Sequence, residues 1–221
     1  MQETVNHQGV LSKQEIIKYL DDEDPNKKIT ISPILDRQTQ IGRCSIDIRL
    51  SYEFIITKET QLPMLDVADY RNLKKNIMQY QEKIRIGYGE QFILHPREFV
   101  LGASLEYISL PLDLMAYVVG RSSWGRLGLV IATATLIDPG FKGVITLELA
   151  NIGKVPLILY PCLRIAQLVF HRLSSPTEGY AGGYSTSTGP KFSEIYNDKE
   201  IPVIIPEKRN SIKTDLPNQS T

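Results

Sequence analysis

One polar segment stands out between the apolar stretches of this sequence, at residues 120–128 (GRSSWGRLG). Ser122 could cap a short helix whose free N–H groups would bind an anion, and Arg121 and Arg126 would add positive charge. The alternative is a capped surface turn with two solvated arginines. Composition alone favours that alternative.

A single carboxylate interrupts the apolar run at residues 144–151 (VITLELAN). Period-two alternation places Leu147 and Leu149 on one face of a strand and Glu148 on the other. If both faces are covered, burial would raise the pKa of Glu148 and suit it to general acid–base catalysis. A sheet-edge glutamate that faces water is an equal alternative.

Asp138 precedes Pro139 and Gly140 in the link between two apolar runs. This combination is typical of a tight turn, which is the favoured interpretation. A functional aspartate at this point would bind a ribose hydroxyl or orient a water molecule.

Zinc chemistry is not indicated. The zinc nucleobase deaminases use His-x-Glu and Pro-Cys-x-x-Cys. Here Pro161-Cys162 lacks the second cysteine at that spacing, and His95 has Glu98 at the wrong distance. The sequence also lacks a Walker motif and a dinucleotide-binding fingerprint.

Composition excludes several classes of protein. The 25 Lys and Arg residues balance 25 Asp and Glu residues, which argues against broad binding to nucleic acid. The longest nearly apolar run, residues 127–137, is about half of the roughly 20 residues that a membrane span needs. The start of the chain lacks the basic and apolar regions of a secretory signal. Two distant cysteines suit a reducing compartment, so we expect a cytoplasmic protein.

Hydrophobic periodicity predicts a mainly β fold. Ser12 and Glu15 form a capping box before one short N-terminal helix. Many short strands at roughly 8–12-residue spacing indicate a sandwich or barrel. We expect strands at residues 44–50, 54–56, 83–86, 91–94, 98–101, 116–119, 129–132, 144–150, 156–160 and 163–170.

The chain is predicted to form one domain over residues 1–195. Residues 58–80 break the strand rhythm and are interpreted as an insertion, with a helical turn near residues 71–80. The Gly/Ser/Thr-rich segment 177–190 is expected to be a mobile arm. Residues 196–221 are expected to form a flexible tail.

Seven segments, taken in this order, resemble the dCTP deaminase branch of the trimeric dUTPase superfamily. Each is weak alone, but the series is specific and spans about residues 11–190. The segments are LSKQEI (11–16), SIDIRL (45–50), FILHPREF (92–99), GRSSWGR (120–126), IDPGF (137–141), TLE (146–148) and RIAQLVF (164–170).

The resemblance implies a distorted β-barrel or jelly roll of the dUTPase-like (β-clip) type. It also implies zinc-free hydrolysis of dCTP to dUTP and ammonia. Arg126, four residues after Ser122, and Glu148 match the positions that distinguish deaminases from dUTPases. In that scheme Glu148 shuttles a proton as general base and acid, while Ser122 and Arg126 orient the water and the glutamate.

The same resemblance implies how the nucleotide is held. A Mg²⁺ ion would bridge oxygens of the triphosphate. Arg121, Arg126 and Arg164 could together bind the triphosphate. The sites would form between the subunits of a homotrimer, with dTTP as a possible inhibitor. The implied substrate-binding residues are Arg121 and Ser123 (triphosphate), Asp138 (deoxyribose hydroxyl), Thr146, Leu147, Gln167 (near the phosphates), Tyr180 and Tyr184.

The arm departs from the deaminase pattern. Residues 183–190 (GYSTSTGP) lack the Lys and Gln that deaminases use there, and they resemble the closing arm of dUTPases, in which Tyr184 would stack on the base. The usual family histidine is also missing near residues 130–133. A dUTPase, or a bifunctional enzyme that forms dUMP and diphosphate, is therefore the alternative. A non-catalytic nucleotide-binding regulator on the same fold is the third hypothesis.

Overall fold

The computed structural model describes residues 9–131, 136–184 and 186–205, which divide into two compact units. The larger unit holds the described residues up to Thr57 together with Glu82–Lys191. The smaller unit holds Lys58–Gln81 and the described residues from Phe192 onward. The single domain over residues 1–195, with its insertion, arm and tail, stays a prediction. Residues 206–221 of that tail lie outside the described residues.

Two antiparallel sheets and one strand pair form the larger unit. The first sheet has the order β1 (Gly9–Val10), β13 (Arg164–Arg172), β8 (Leu114–Gly120), β10 (Leu136–Ile137), with β3 (Ile46–Arg49) also paired to β13. The second has the order β5 (Gln81–Arg85), β4 (Glu53–Thr57), β7 (Phe99–Ser109), β11 (Lys142–Asn151), β9 (Leu129–Ile131), with β2 (Thr30–Ser32) paired to β7. The pair consists of β6 (Phe92–Leu94) and β12 (Leu157–Leu159).

Alternation along the strands builds the core between the two sheets. In β3, Ile46 and Ile48 are fully buried, while Asp47 and Arg49 lie on the other face. In β11, Leu147 and Leu149 are fully buried in the same apolar cluster. The polar residues between these positions are therefore directed away from the core.

Short helices close the ends of the larger unit. Helix α1 (Lys13–Leu20) begins with the predicted capping box, in which Ser12 and Glu15 bond reciprocally, so that prediction is confirmed. Helices α2 (Arg37–Gln40) and α4 (Ser122–Gly125) are single turns.

The smaller unit contains α3 (Tyr70–Tyr80), a 3₁₀ turn (Ile195–Asn197) and α5 (Ile201–Ile204). Helix α3 has 11 residues and covers the region near residues 71–80 in which a helical turn was expected. None of the described helices is both long enough and apolar enough to span a membrane.

The prediction of a mainly β, distorted barrel or jelly-roll fold with a short N-terminal helix is confirmed. The two sheets remain open rather than closing into a complete barrel. Strands β1, β2 and β10, which have two or three residues each, were not predicted. The strand expected at 129–132 is β9, although residue 132 lies outside the described residues.

Candidate active site

Helix α4 presents the polar cluster that the sequence analysis selected. Arg121 occupies its N-cap position and no side chain caps the helix, so the expectation that Ser122 caps it is wrong. Ser122 lies instead in the first helical turn, where it is exposed, as are Ser123 and Arg126. These side chains are therefore free to meet a ligand or another chain.

Arg121 is held beside Arg164 by main-chain and carboxylate acceptors. Arg121 Nη1 donates to the carbonyl of Arg164 at 3.3 Å, and Trp124 Nε1 donates to the same carbonyl at 3.0 Å. Asp47 accepts from Arg164 Nη1 at 3.1 Å and lies 3.8 Å from Arg121 Nε. One carboxylate thus orients two guanidinium groups, one from the N-cap position of α4 and one from β13.

These arginines border a cavity of about 520 Å³. Its lining combines three guanidinium groups with two hydroxyl groups and one carboxylate. The pKa of Asp36 in that lining is lowered, mainly because its carboxylate accepts a hydrogen bond from the Thr39 hydroxyl group. Hydrogen bonds from main-chain N–H groups lower this pKa further. The lining residues are Asp36, Thr39, Arg49, Arg121, Ser123, Trp124, Leu127, Leu163 and Arg164. Such a cation-rich cavity suits an anion with several oxygens.

Glu148 is half-buried on β11, and burial raises the pKa of its carboxyl group. Among the described residues, none forms a hydrogen bond or ion pair with this carboxylate. Because Leu147 and Leu149 face the core, Glu148 is directed away from the first sheet, whose strand β8 leads into α4. Among the described residues of one chain, no hydrogen bond or ion pair joins Glu148 to Ser122 or Arg126.

The Asp138 turn meets the start of the arm. Gly140 has φ +74°, the left-handed conformation that favours glycine. The main-chain N–H of Tyr180 donates to the Pro139 carbonyl at 2.8 Å, and the Tyr180 ring lies 5.9 Å from that of Phe141. The structure thus brings two predicted site residues, Asp138 and Tyr180, to neighbouring positions.

The arm continues along β11. The carbonyl of Ser187 accepts the main-chain N–H of Val144 at 2.9 Å, and the Thr146 hydroxyl accepts the N–H of Lys191 at 3.2 Å. Tyr184 is 42% exposed, and the neighbouring Ser185 lies outside the described residues. The arm therefore reaches the strand that carries Glu148.

Two other predicted site residues occupy different surroundings. Leu147 is fully buried in the core, so only its main chain is available for a substrate contact. Gln167 lies on β13 opposite Asp47, and its side-chain oxygen accepts from the Ser45 hydroxyl at 3.2 Å.

Asp47, Arg49 and Glu106 were not among the site residues predicted from the sequence. Glu106 is fully buried, accepts from the Arg49 N–H and from Gln40 Nε2 at 2.8 Å each, and its pKa is raised to about 7, mainly by burial. Asp47 and Arg49 could have been found from the sequence, because they alternate with Ile46 and Ile48. This alternation predicts a strand with one apolar face and one charged face. The position of Glu106 depends on pairing between distant segments and left no local signal.

No group of three His, Cys, Asp or Glu side chains within the described ranges is arranged to hold a metal ion. The expectation of a zinc-free mechanism stays a prediction.

Comparison with known proteins adds an independent finding. A family model described as dCTP deaminase-like matches residues 10–173. A protein of Halobacterium salinarum named "dCTP deaminase, dUMP-forming" is 41% identical over 198 residues, covering 87% of this chain and 97% of that protein. One of Methanobrevibacter smithii with the same name is 44% identical over 200 residues, covering 87% and 98%. A Natronomonas pharaonis protein named "dCTP deaminase" is 39% identical over 198 residues, covering 87% and 97%.

A solved structure shares the fold. The 2'-deoxycytidine 5'-triphosphate deaminase from Agrobacterium tumefaciens superposes with a TM-score of 0.55 at 19% identity. The match covers 75% of this chain and 47% of that chain, about half of its length.

Proposed function

The chain belongs to the dCTP deaminase-like family, and from this premise we propose that it is an enzyme that hydrolyses the 4-amino group of dCTP. Water adds to C4 of the cytosine ring, the C4–N bond breaks, and ammonia leaves to give dUTP. The single observation that carries the proposal is Glu148, a half-buried glutamate with a raised pKa and no bonded partner among the described residues.

Glu148 is proposed as the general base and acid of this reaction. Its carboxylate takes a proton from the attacking water and passes it to N3 of the ring. It then takes the proton of the new C4 hydroxyl group and gives it to the amino group, which leaves as ammonia. Burial raises the pKa of Glu148 and so makes its carboxylate a stronger base, which favours this role. A positioned acid–base group of this kind contributes roughly 10²–10⁴-fold to the rate.

The proposed site is completed by a second subunit. Glu148 is directed away from the sheet that leads into α4, whereas Ser122 and Arg126 are exposed on α4. If the chain forms a homotrimer, Ser122 and Arg126 of one subunit would orient the water and Glu148 of the next. Asp138 would hold the deoxyribose hydroxyl, and Tyr180 would pack beside the nucleotide.

The triphosphate is proposed to enter the cavity beside Arg121 and Ser123, with Gln167 near the phosphates. The three guanidinium groups of the lining fit phosphate oxygens, and a Mg²⁺ ion would be carried by those oxygens and would neutralise part of their charge.

The second candidate product is dUMP with diphosphate, formed when water also breaks the bond between the α- and β-phosphates. Two of the relatives described above are named dUMP-forming, and residues 183–190 resemble the arm of dUTPases. In that case Tyr184 would stack on the base. The hydrogen bonds from Val144 to Ser187 and from Lys191 to Thr146 run beside β11, and they support a role of this segment in closing over the nucleotide.

One assay tests both candidates. The protein is incubated with dCTP and Mg²⁺, ammonia is quantified, and dUTP, dUMP and diphosphate are separated by chromatography. Ammonia with dUTP supports deamination alone, and ammonia with dUMP and diphosphate supports the bifunctional enzyme. If the protein releases diphosphate from added dUTP but no ammonia from dCTP, it is a dUTPase without deaminase activity. If dCTP binds but stays unchanged, the protein is a nucleotide-binding regulator.

A further inference from the structure

A third arginine, Arg49, lines the cavity in which we place the triphosphate. It comes from β3, whereas Arg121 and Arg164 come from the segment after β8 and from β13. Strand pairing brings Arg49 opposite Arg164, so the two guanidinium groups belong to one face of the first sheet. Both residues line the cavity.

The Arg49 side chain is held firmly. Its Nη1 donates to the carbonyl of Cys162 at 2.8 Å, and only 15% of the side chain is exposed. Its Nε has no hydrogen-bond partner among the described residues and lies 4.0 Å from the buried Glu106 carboxylate. A guanidinium group has five donors, so its contact with Cys162 leaves others for a ligand.

The partners of the three arginines differ. Arg121 and Arg164 share the Asp47 carboxylate at the edge of the cavity. Arg49 instead has Glu106 on its interior side, beyond hydrogen-bonding distance of Nε. Among the described residues, the Arg49 side chain therefore makes no hydrogen bond to a carboxylate, and its ion-pair partner Glu106 lies 4.0 Å from Nε, as Asp47 lies 3.8 Å from Arg121 Nε.

We propose that Arg49 is a third phosphate-binding residue, which contacts the end of the triphosphate farthest from the base. This inference rests on the proposed function for the identity of the ligand. The groups proposed for chemistry, Ser122 and Arg126, do not line the cavity, whereas Ser123 does. A nucleotide with its base near Ser122 would therefore direct its phosphates past Ser123 and Arg121 toward Arg49.

The test measures binding of inorganic tripolyphosphate, dCTP and dCMP to the full chain by calorimetry, in the wild type and in Arg49→Met. A lost charge-assisted hydrogen bond predicts tripolyphosphate and dCTP binding weaker by roughly tenfold to a hundredfold. Binding of dCMP should change less than about threefold, because its single phosphate stays near Arg121. In steady-state assays the KM for dCTP should rise while kcat stays within about threefold.

Arg43→Met is the matched control, because it removes the same charge from an exposed position outside the cavity lining. Equal effects of the two substitutions, or an equal loss for dCMP and dCTP, would overturn the assignment. If Arg49→Met does not fold, Arg49→Lys decides. Its ammonium cannot reproduce the guanidinium fork, so tripolyphosphate binding should weaken severalfold, and unchanged binding would refute the proposal.

The outcome separates this inference from the proposed function. Arg49-dependent binding of tripolyphosphate without ammonia release from dCTP would remove the deaminase and leave the phosphate site. Ammonia release with Arg49-independent binding would leave the deaminase and remove the phosphate role of Arg49.

Discussion

Asp47 and Arg164 lie 117 residues apart in the sequence, yet their side chains form an ion pair of 3.1 Å at the edge of the cavity. The same carboxylate lies 3.8 Å from Arg121 Nε. Asp47 is therefore a positioning residue, since it orients two groups proposed to bind phosphate without lying in the cavity lining itself.

Asp47→Asn should raise the KM for dCTP by roughly tenfold and change kcat by less than about threefold, because the reaction takes place at the base rather than at the phosphates. Steady-state kinetics of ammonia release measures both constants. Asp66→Asn, at an exposed position, is the control and should leave both unchanged. A fall in kcat at constant KM would contradict the positioning role.

Local features of this fold could be predicted from the sequence, whereas contacts between distant segments could not. The Ser12–Glu15 capping box spans four residues, and alternation alone assigned Glu148 to the face opposite Leu147. The Asp47–Arg164 pair depends on the β3–β13 register, which shifts between Arg164 and Ala166. The local sequence does not specify such a shift in register. The shift matters, because a slip of one residue moves every side chain of the strand to the other face of the sheet.

The expected N-cap at Ser122 was wrong for a related reason. Serine is a strong N-cap residue, but Arg121 takes that position and donates instead to the Arg164 carbonyl. A tertiary contact thus outweighed the local preference of serine.

Glu148→Gln should lower ammonia release by roughly 10²–10⁴-fold, because an amide cannot accept the proton of the attacking water. In the wild type, kcat should rise with pH through a midpoint above 4.5, the ordinary value for glutamate, since burial raises the pKa of Glu148. The pH profile of kcat measures this midpoint.

The stability of the Glu148 variant has a definite sign. A carboxyl whose pKa is raised by folding stabilises the fold at low pH and loses that contribution as pH rises through the raised pKa. Glu148→Gln should therefore be no less stable than the wild type at pH 8, as judged by urea unfolding. Glu23→Gln, which is exposed, should retain full activity; an active Glu148→Gln enzyme would refute the catalytic assignment.

Gly140→Ala should disturb the contact between the Asp138 turn and the arm. An added Cβ would lie 2.9 Å from Gly179 Cα and 3.2 Å from the Tyr180 nitrogen, at φ +74°. Both the melting temperature and the affinity for dCTP should fall, because Tyr180 would be displaced.

Gly89→Ala is a close control for that change. Gly89 has φ +81°, so its backbone cost is similar, about 1–2 kcal/mol, but nothing lies within 4 Å of an added Cβ. Its melting temperature should fall less and its KM should not change. Equal KM values for the two variants would show that the Tyr180 contact does not contribute to nucleotide binding.

Glu106 predicts a pH-dependent stability. Its pKa is raised to about 7, so its favourable contribution is complete below pH 4.5 and is lost as pH rises through 7. The wild type should lose up to about 3 kcal/mol of unfolding free energy between pH 5 and pH 8 from this group. Glu106→Gln should reduce the dependence of the unfolding free energy on pH. Its altered hydrogen bonds with Arg49 and Gln40 would change that free energy by the same amount at every pH. Urea unfolding across this range measures the slope, and parallel curves for the two proteins would contradict the assignment.

The separation of Glu148 from α4 predicts complementation between subunits. Glu148→Gln and Arg126→Met chains should each be inactive alone, because each lacks one half of the site. When the two chains are coexpressed in equal amounts and assemble at random, about one quarter of the interfaces combine an intact Glu148 with an intact Arg126. About one quarter of the wild-type ammonia release should therefore return. Light scattering would establish the number of subunits in the mixed assembly. If both groups served the same site within one chain, the mixture would stay as inactive as its parents, because no chain would carry both residues.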